Sequence, residues 1–183
     1  MSIGLGQDVY PGYVLYTPSA QTETYLMDID STIINVWQHE SGSYPASMPY
    51  LINGDLYGIE NTILVYPCRC ENPAMENGGF GGRIIFYDWY SNVLWDYSIC
   101  NELYQAHHDI SVLPNRNVLV NVWERKSAEE AYSLGRTIVE NPLGEVWSNA
   151  ILEIQPNYET GNGIIVWEWH LWDHLIQDVD SIL

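Results

Sequence analysis

GGRIIFYDWYSNVLWDYS, residues 81–98, reads as two apolar strands joined by a polar turn at Tyr90-Ser91-Asn92. The same pattern occurs upstream as TYLMDIDSTIINVWQH (24–39), turning at Asp30-Ser31-Thr32. It occurs downstream as ILEIQPNYETGNGIIVWEWH (151–170), with a longer turn rich in Gly and Asn. The closing strands align as Ile34-Asn35-Val36-Trp37, Leu94-Trp95-Asp96-Tyr97 and Val166-Trp167-Glu168-Trp169.

A second hairpin type lies between these copies. Leu51-Ile52-Asn53-Gly54-Asp55-Leu56-Tyr57 resembles Leu113-Pro114-Asn115-Arg116-Asn117-Val118-Leu119, with the Asn, Gly and Asp that a tight turn requires. The repeat is therefore a four-stranded antiparallel unit. Units are expected at 48–98 and 107–169, with half a unit at 24–39 and the start of a further one at 170–183. Residues 1–23 read as an extended lead-in containing the apolar run Tyr13–Tyr16. The best helical candidate is the short connector SAEEAYSL, Ser127–Leu134.

Repeated four-stranded units predict an all-β chain and, specifically, a β-propeller in one incomplete domain spanning 1–183. Tryptophan recurring at one strand position and the alternation of hairpin types favour a propeller over a sandwich. Closed propellers have about four to eight blades, so two and a half blades predict either further blades or self-association through open edges.

Composition supports the β class. Tyrosine (14) and tryptophan (8) far outnumber phenylalanine (2), and 46% of residues are hydrophobic. The formal net charge is −18 with six Lys and Arg. That predicts no nucleic-acid partner, because phosphate neutralisation needs clustered cations, and no docking on an anionic membrane. No signal peptide is visible at the N-terminus, and no apolar run approaches the roughly 20 residues of a membrane span. Three cysteines, Cys68, Cys70 and Cys100, read as buried or free thiols, with one disulfide open to an exported protein.

The chemistry is expected from histidine. QAHHDISVLPNRNVL (105–119) places His107, His108 and Asp109 where one unit begins its first strand. WHLWDHL (169–175) places His170, Asp173 and His174 where the next would begin. In a propeller such positions converge at one mouth of the central channel, and His39 follows the last strand of the half unit. Paired imidazoles can act as nucleophile, general base or acid, or donate to an anionic transition state. A transition metal ranks second, since no cysteine cluster is nearby. The glycine run NGGFGG (77–82) precedes a strand rather than a helix, so it reads as a flexible loop, not a phosphate cradle. Asp28-Ile29-Asp30-Ser31 lacks the glycine and distal glutamate of a calcium loop and reads as a turn.

These segments together resemble the bacterial aryl-sulfate sulfotransferase family from about residue 12 onward. The resemblance is carried by the Asp-x-Asp turn before a strand ending in Trp, GGRIIFYDWYSNVLWDYS, HHDISVLPNRNVL and GIIVWEWHLWDHLIQD. It implies a six-bladed propeller with its active site in the channel. It implies cofactor-free sulfuryl transfer, independent of PAPS, from an aryl sulfate to a phenol through a sulfo-histidine. Under it, His107, His108, His170 and His174 are the catalytic candidates, with Asp109 and Asp173 in binding roles. Family members are often exported. Ser31 and Arg116 replace turn glycines of the family, and Tyr90 replaces an aspartate, which marks a divergent copy. The nucleophile of the family is expected in later blades, so this stretch alone is expected to be inactive.

Overall fold

The computed structural model describes residues 11–76 and 78–175. Three antiparallel sheets, each a meander in chain order, make up almost all of it. The first holds β1 (Tyr13–Tyr16), β2 (Glu23–Asp28) and β3 (Ile33–Gln38). The second holds β4 (Tyr50–Asn53), β5 (Thr62–Arg69), β6 (Gly82–Tyr87) and β7 (Val93–Ser98). The third holds β8 (Tyr104–Val112), β9 (Val118–Ser127), β10 (Glu145–Pro156) and β11 (Gly163–His170). Among the described residues a single short α-helix, α1 (Ala128–Ser133), links β9 to β10. Ser127 and Glu130 close it with a reciprocal capping box. No sheet closes on itself among the described residues.

The sheets stack face to face in chain order, and burial along each strand reports its place in the stack. The second sheet lies in the middle and is apolar on both faces. From β5 and β6, Ile63, Val65, Ile84 and Phe86 pack with Val118, Val120, Val122 and Leu152 of the third sheet. The alternate residues Leu64, Tyr66, Cys68, Ile85 and Tyr87 pack with Leu26 and Trp37 of the first. By contrast, β9 alternates cleanly: Val118, Val120 and Val122 are buried while Leu119, Asn121 and Trp123 face outward. Fully burying one large apolar side chain is worth roughly 1.5–3 kcal/mol. The two sheet–sheet contacts, not the loops, therefore hold the stack together.

A tryptophan hydrogen bond ties each sheet to the next, from positions two residues apart along the closing strand. Trp37 in β3 donates Nε1 to the Asp88 carbonyl at 2.8 Å, in the β6–β7 turn. Trp95 in β7 donates Nε1 to the Asn162 carbonyl at 2.9 Å, in the β10–β11 turn. The Asp28 and Asp88 turns are twins. Each Asp Oδ1 accepts from backbone N–H groups two and four residues on, and Ser31 and Ser91 follow at φ 65° and 70°.

Three expectations need correction. The first unit is more than the half expected at 24–39, since Tyr13–Tyr16 of the lead-in adds a third strand beside β2. The hairpin at Asn53-Gly54-Asp55 is not tight. Asn53 accepts from the Asp55 N–H at 2.9 Å and caps a 3-10 turn at Gly54–Tyr57, and the loop closes only where the Gly54 N–H meets the Asn61 carbonyl. The cysteines are not all free: Cys70 and Cys100 form a disulfide, and only Cys68 is free and buried. The two partners sit on opposite flanks of Gly82 at the start of β6. Any Cβ at Gly82 would lie 2.6 Å from the Cys70 sulfur. The expected unit beginning at 170–183 falls mostly on 176–183, outside the described residues.

Candidate functional site

The first histidine cluster lies within β8, not at its start. The pairing of β8 with β9 breaks between Ala106 and Ile110, so residues 107–109 form a bulge. His108 sits at φ 58°, a left-handed conformation uncommon for a residue with a side chain. Two contacts over-determine it. Its N–H donates to the Gly79 carbonyl at 2.7 Å, and its ring lies over Gly79, where a Cβ would come within 2.5 Å of the imidazole. Strain of this kind costs about 1–3 kcal/mol and gathers at sites with a task.

The bulge turns the two imidazoles onto each other. His107 Nδ1 and His108 Nδ1 are 2.8 Å apart, so one carries the shared proton and the other accepts it. The rings meet edge to face, and His107 stacks on Trp123 with centroids 4.6 Å apart. Burial, and then the neighbouring His108, push His107 below the ordinary histidine range. The Asn149 side chain and the Val122 carbonyl partly oppose that fall. His107 Nε2 is buried with no hydrogen bond in good geometry. His108 and Asp109 are exposed, and Asp109 Oδ1 accepts from the Ile110 N–H at 2.9 Å.

The cavity beside this pair is small. Ser47, Cys68, Arg83, His107, His108 and Asp109 help enclose about 10 Å³, room for one water molecule at most. The Arg83 guanidinium is already engaged by Asp96 at 2.5 Å and Glu40 at 3.0 Å. A broader cleft of about 630 Å³ lies between Met75, Arg136, Leu143 and Trp147. Trp147 meets Trp123 edge-on at 6.1 Å.

The second histidine cluster is elsewhere. Ala106, Val122, Ala150 and His170 form one transverse row across the third sheet. His170 thus lies three strands from the first pair, roughly 14 Å along the row. It closes β11 and corresponds in register to Ser98 at the end of β7, not to His107. Its Nδ1 is 3.1 Å from Glu124 and its Nε2 is 3.4 Å from Glu168. Lys126 Nζ holds the same Glu124 oxygen at 2.8 Å. His174, in the 3-10 turn Leu171–His174, stacks on Trp169 at 5.1 Å, and Asp173 is exposed. His39 is a third, separate case: it is buried between the first and second sheets, stacked on Tyr66 at 3.7 Å.

The structure therefore joins His107, His108 and Asp109, and does not join them to His170, Asp173 or His174. No group of three or more metal-binding side chains occurs among the described residues. Reading by sequence missed Trp123 as the stacking partner and Glu124 as a buried carboxylate. The signal for both was Trp123-Glu124-Arg125-Lys126, where charge enters a strand whose earlier residues alternate into the core. Among known proteins, no family model, curated sequence or solved structure matches the chain.

Proposed function

We propose that the stacked sheets are consecutive blades of a β-propeller, and that the His107–His108 pair is the reactive centre of a histidine-dependent sulfuryl transfer between phenols. This reading puts a nucleophile in this stretch, whereas the resemblance alone would put it in later blades. The observation that carries the chemistry is the imidazole–imidazole contact, held by a left-handed His108 at a strand bulge. The blade reading draws on the meandering sheets, their stacking in chain order and the repeated tryptophan hydrogen bond.

In the tautomer that the reaction needs, His108 Nδ1–H donates to His107 Nδ1 across their 2.8 Å contact. His108 Nε2 then keeps its lone pair. That nitrogen attacks the sulfur of an aryl sulfate, an N–S bond forms and the S–O(aryl) bond breaks. The departing phenolate takes a proton from a general acid or solvent. A second phenol then attacks sulfur, the N–S bond breaks, and the phenolic proton passes to a base.

The test is to incubate the chain with an aryl sulfate alone and look for the added mass of SO₃ on His108. Transfer to a phenol acceptor is then measured. Replacing His108 by Ala should remove the adduct and cut transfer by about 100-fold or more. Neither adduct nor transfer in the wild-type chain would defeat the proposal. A second reading, a non-catalytic propeller module, is favoured by the water-sized cavity beside the pair and by the committed Arg83.

A further inference from the structure

The tryptophan hydrogen bonds between sheets leave one donor and one acceptor over. In β3 and β7, closing-strand side chains donate into the next sheet's turn: Asn35 to the Trp89 carbonyl, Trp37 to that of Asp88, and Trp95 to that of Asn162. In β11 the position that matches Asn35 and Trp95 is Trp167. It lies opposite Glu153, which lies opposite Leu119, so it faces away from the second sheet. It is 48% exposed, and no further sheet lies beyond it among the described residues. At the other end, the Asp28 turn copies the bonds that the Asp88 turn makes to backbone N–H groups, yet its carbonyl meets only the Ser31 N–H. No sheet precedes it among the described residues to supply an indole.

The faces carrying these groups are apolar as well. On the first sheet, alternation from Leu26 and Trp37, which face inward, turns Val14, Tyr16 and Ile34 outward. These are 51%, 37% and 43% exposed. On the third, Trp123, Ile151 and Trp167 share the outward side.

We propose that two copies of this chain associate head to tail. The outer face of each third sheet stacks on the outer face of the other copy's first sheet, and Trp167 donates into the Asp28–Thr32 turn. The junction repeats the face-to-face stacking seen twice within the chain, each time with a tryptophan donating into the next sheet's turn, which is why the occupant is a second copy and not an unrelated surface. Two copies contribute six sheets, inside the range of about four to eight that closes a propeller, and the two junctions are equivalent. The inference rests on the blade reading of the stack and is independent of the sulfuryl chemistry.

The experiment is light scattering and sedimentation on the wild-type chain and two variants, Trp167→Arg and Ile34→Arg. Both positions are exposed in a single chain, so each variant should fold, as fluorescence melts will show. The wild type should sediment at twice the 21.0 kDa chain mass. In a homodimer of either variant, both junctions carry an arginine, and the dissociation constant should rise roughly 30-fold or more. Mixing the two variants restores one clean junction, so heterodimers should reappear. A back-to-back dimer would show no such rescue, and that result overturns the proposal. A wild-type monomer overturns the docking while leaving the blade reading intact. A ladder of trimers and larger species overturns closure, and the propeller reading with it.

Discussion

Lowering the pH should destabilise this protein through His39, although the chain is strongly acidic. The His39 ring is 8% exposed, stacked on Tyr66 at 3.7 Å and tilted against Tyr87 at 5.0 Å. Its Nε2 meets the Thr24 hydroxyl at 2.7 Å, and its Nδ1 is buried without a partner. None of these neighbours is a carboxylate, and burial lowers its pKa from 6.5 to about 4. In the unfolded chain the ring takes up a proton near 6.5, whereas in the folded chain it resists until about 4. Stability is therefore full above the unfolded value and falls as pH drops toward the folded one. The total loss is about 3 kcal/mol, of which about 2 kcal/mol is spent by about pH 5.

Urea unfolding followed by tryptophan fluorescence reads this directly. With a slope near 2 kcal/mol per molar, the midpoint should fall by about 1 M between about pH 7.5 and about pH 5. The surface carboxylates titrate in the same experiment, so the control is His39→Gln, which keeps a polar group but takes no proton. The difference between the two proteins isolates the imidazole. Midpoints that move in parallel would refute the claim that His39 is held neutral by burial.

Three further outcomes follow from the geometry. Reducing Cys70–Cys100, which are 30 residues apart, should lower stability by roughly 3–4 kcal/mol in the chain-entropy account, read as a drop in the urea midpoint. Cys68 has no exposed surface and its thiol is pushed up to about 12 by burial, so it should stay unreactive toward thiol reagents until the protein unfolds. Trp95→Phe keeps a buried ring but removes the indole N–H donated to the Asn162 carbonyl, and should cost about 1–3 kcal/mol. A loss below the error of the melt would mean that the bond between sheets carries no weight.

Much of the architecture was readable because it is local. The apolar runs of β6 and β7, the period-two pattern of β9, the Asp-led turns and the Ser127–Glu130 cap are all written in neighbouring residues. The sequence reading correctly paired Trp95 with Trp167 across units, and the strand registers agree. What escaped is non-local. Nothing near Cys70 in the chain indicates Cys100, because the two meet only when β5 and β7 flank Gly82. Nothing near His107 indicates a bulge, which depends on Gly79 and on the break in pairing with β9. The equivalence drawn between His107 and His170 failed for a related reason. His107 lies in β8, beyond the linker 99–103 that follows β7, whereas His170, read as the entry to a new unit, is still the last residue of β11. His170 reached the far edge of a sheet whose near edge carries His107.

Because each sheet is a meander that stacks only on its chain neighbours, the order of contacts follows the order of synthesis. The first sheet can pair its strands before the second has left the ribosome. The second then finds a finished surface in Leu26 and Trp37. The third docks on Ile63, Val65 and Phe86 in the same way. Among the described residues no contact between sheets of one chain has to wait for a distant partner, so assembly of the stack can run as a directional zipper. The middle sheet, covered on both sides, should be the last to exchange its amide hydrogens.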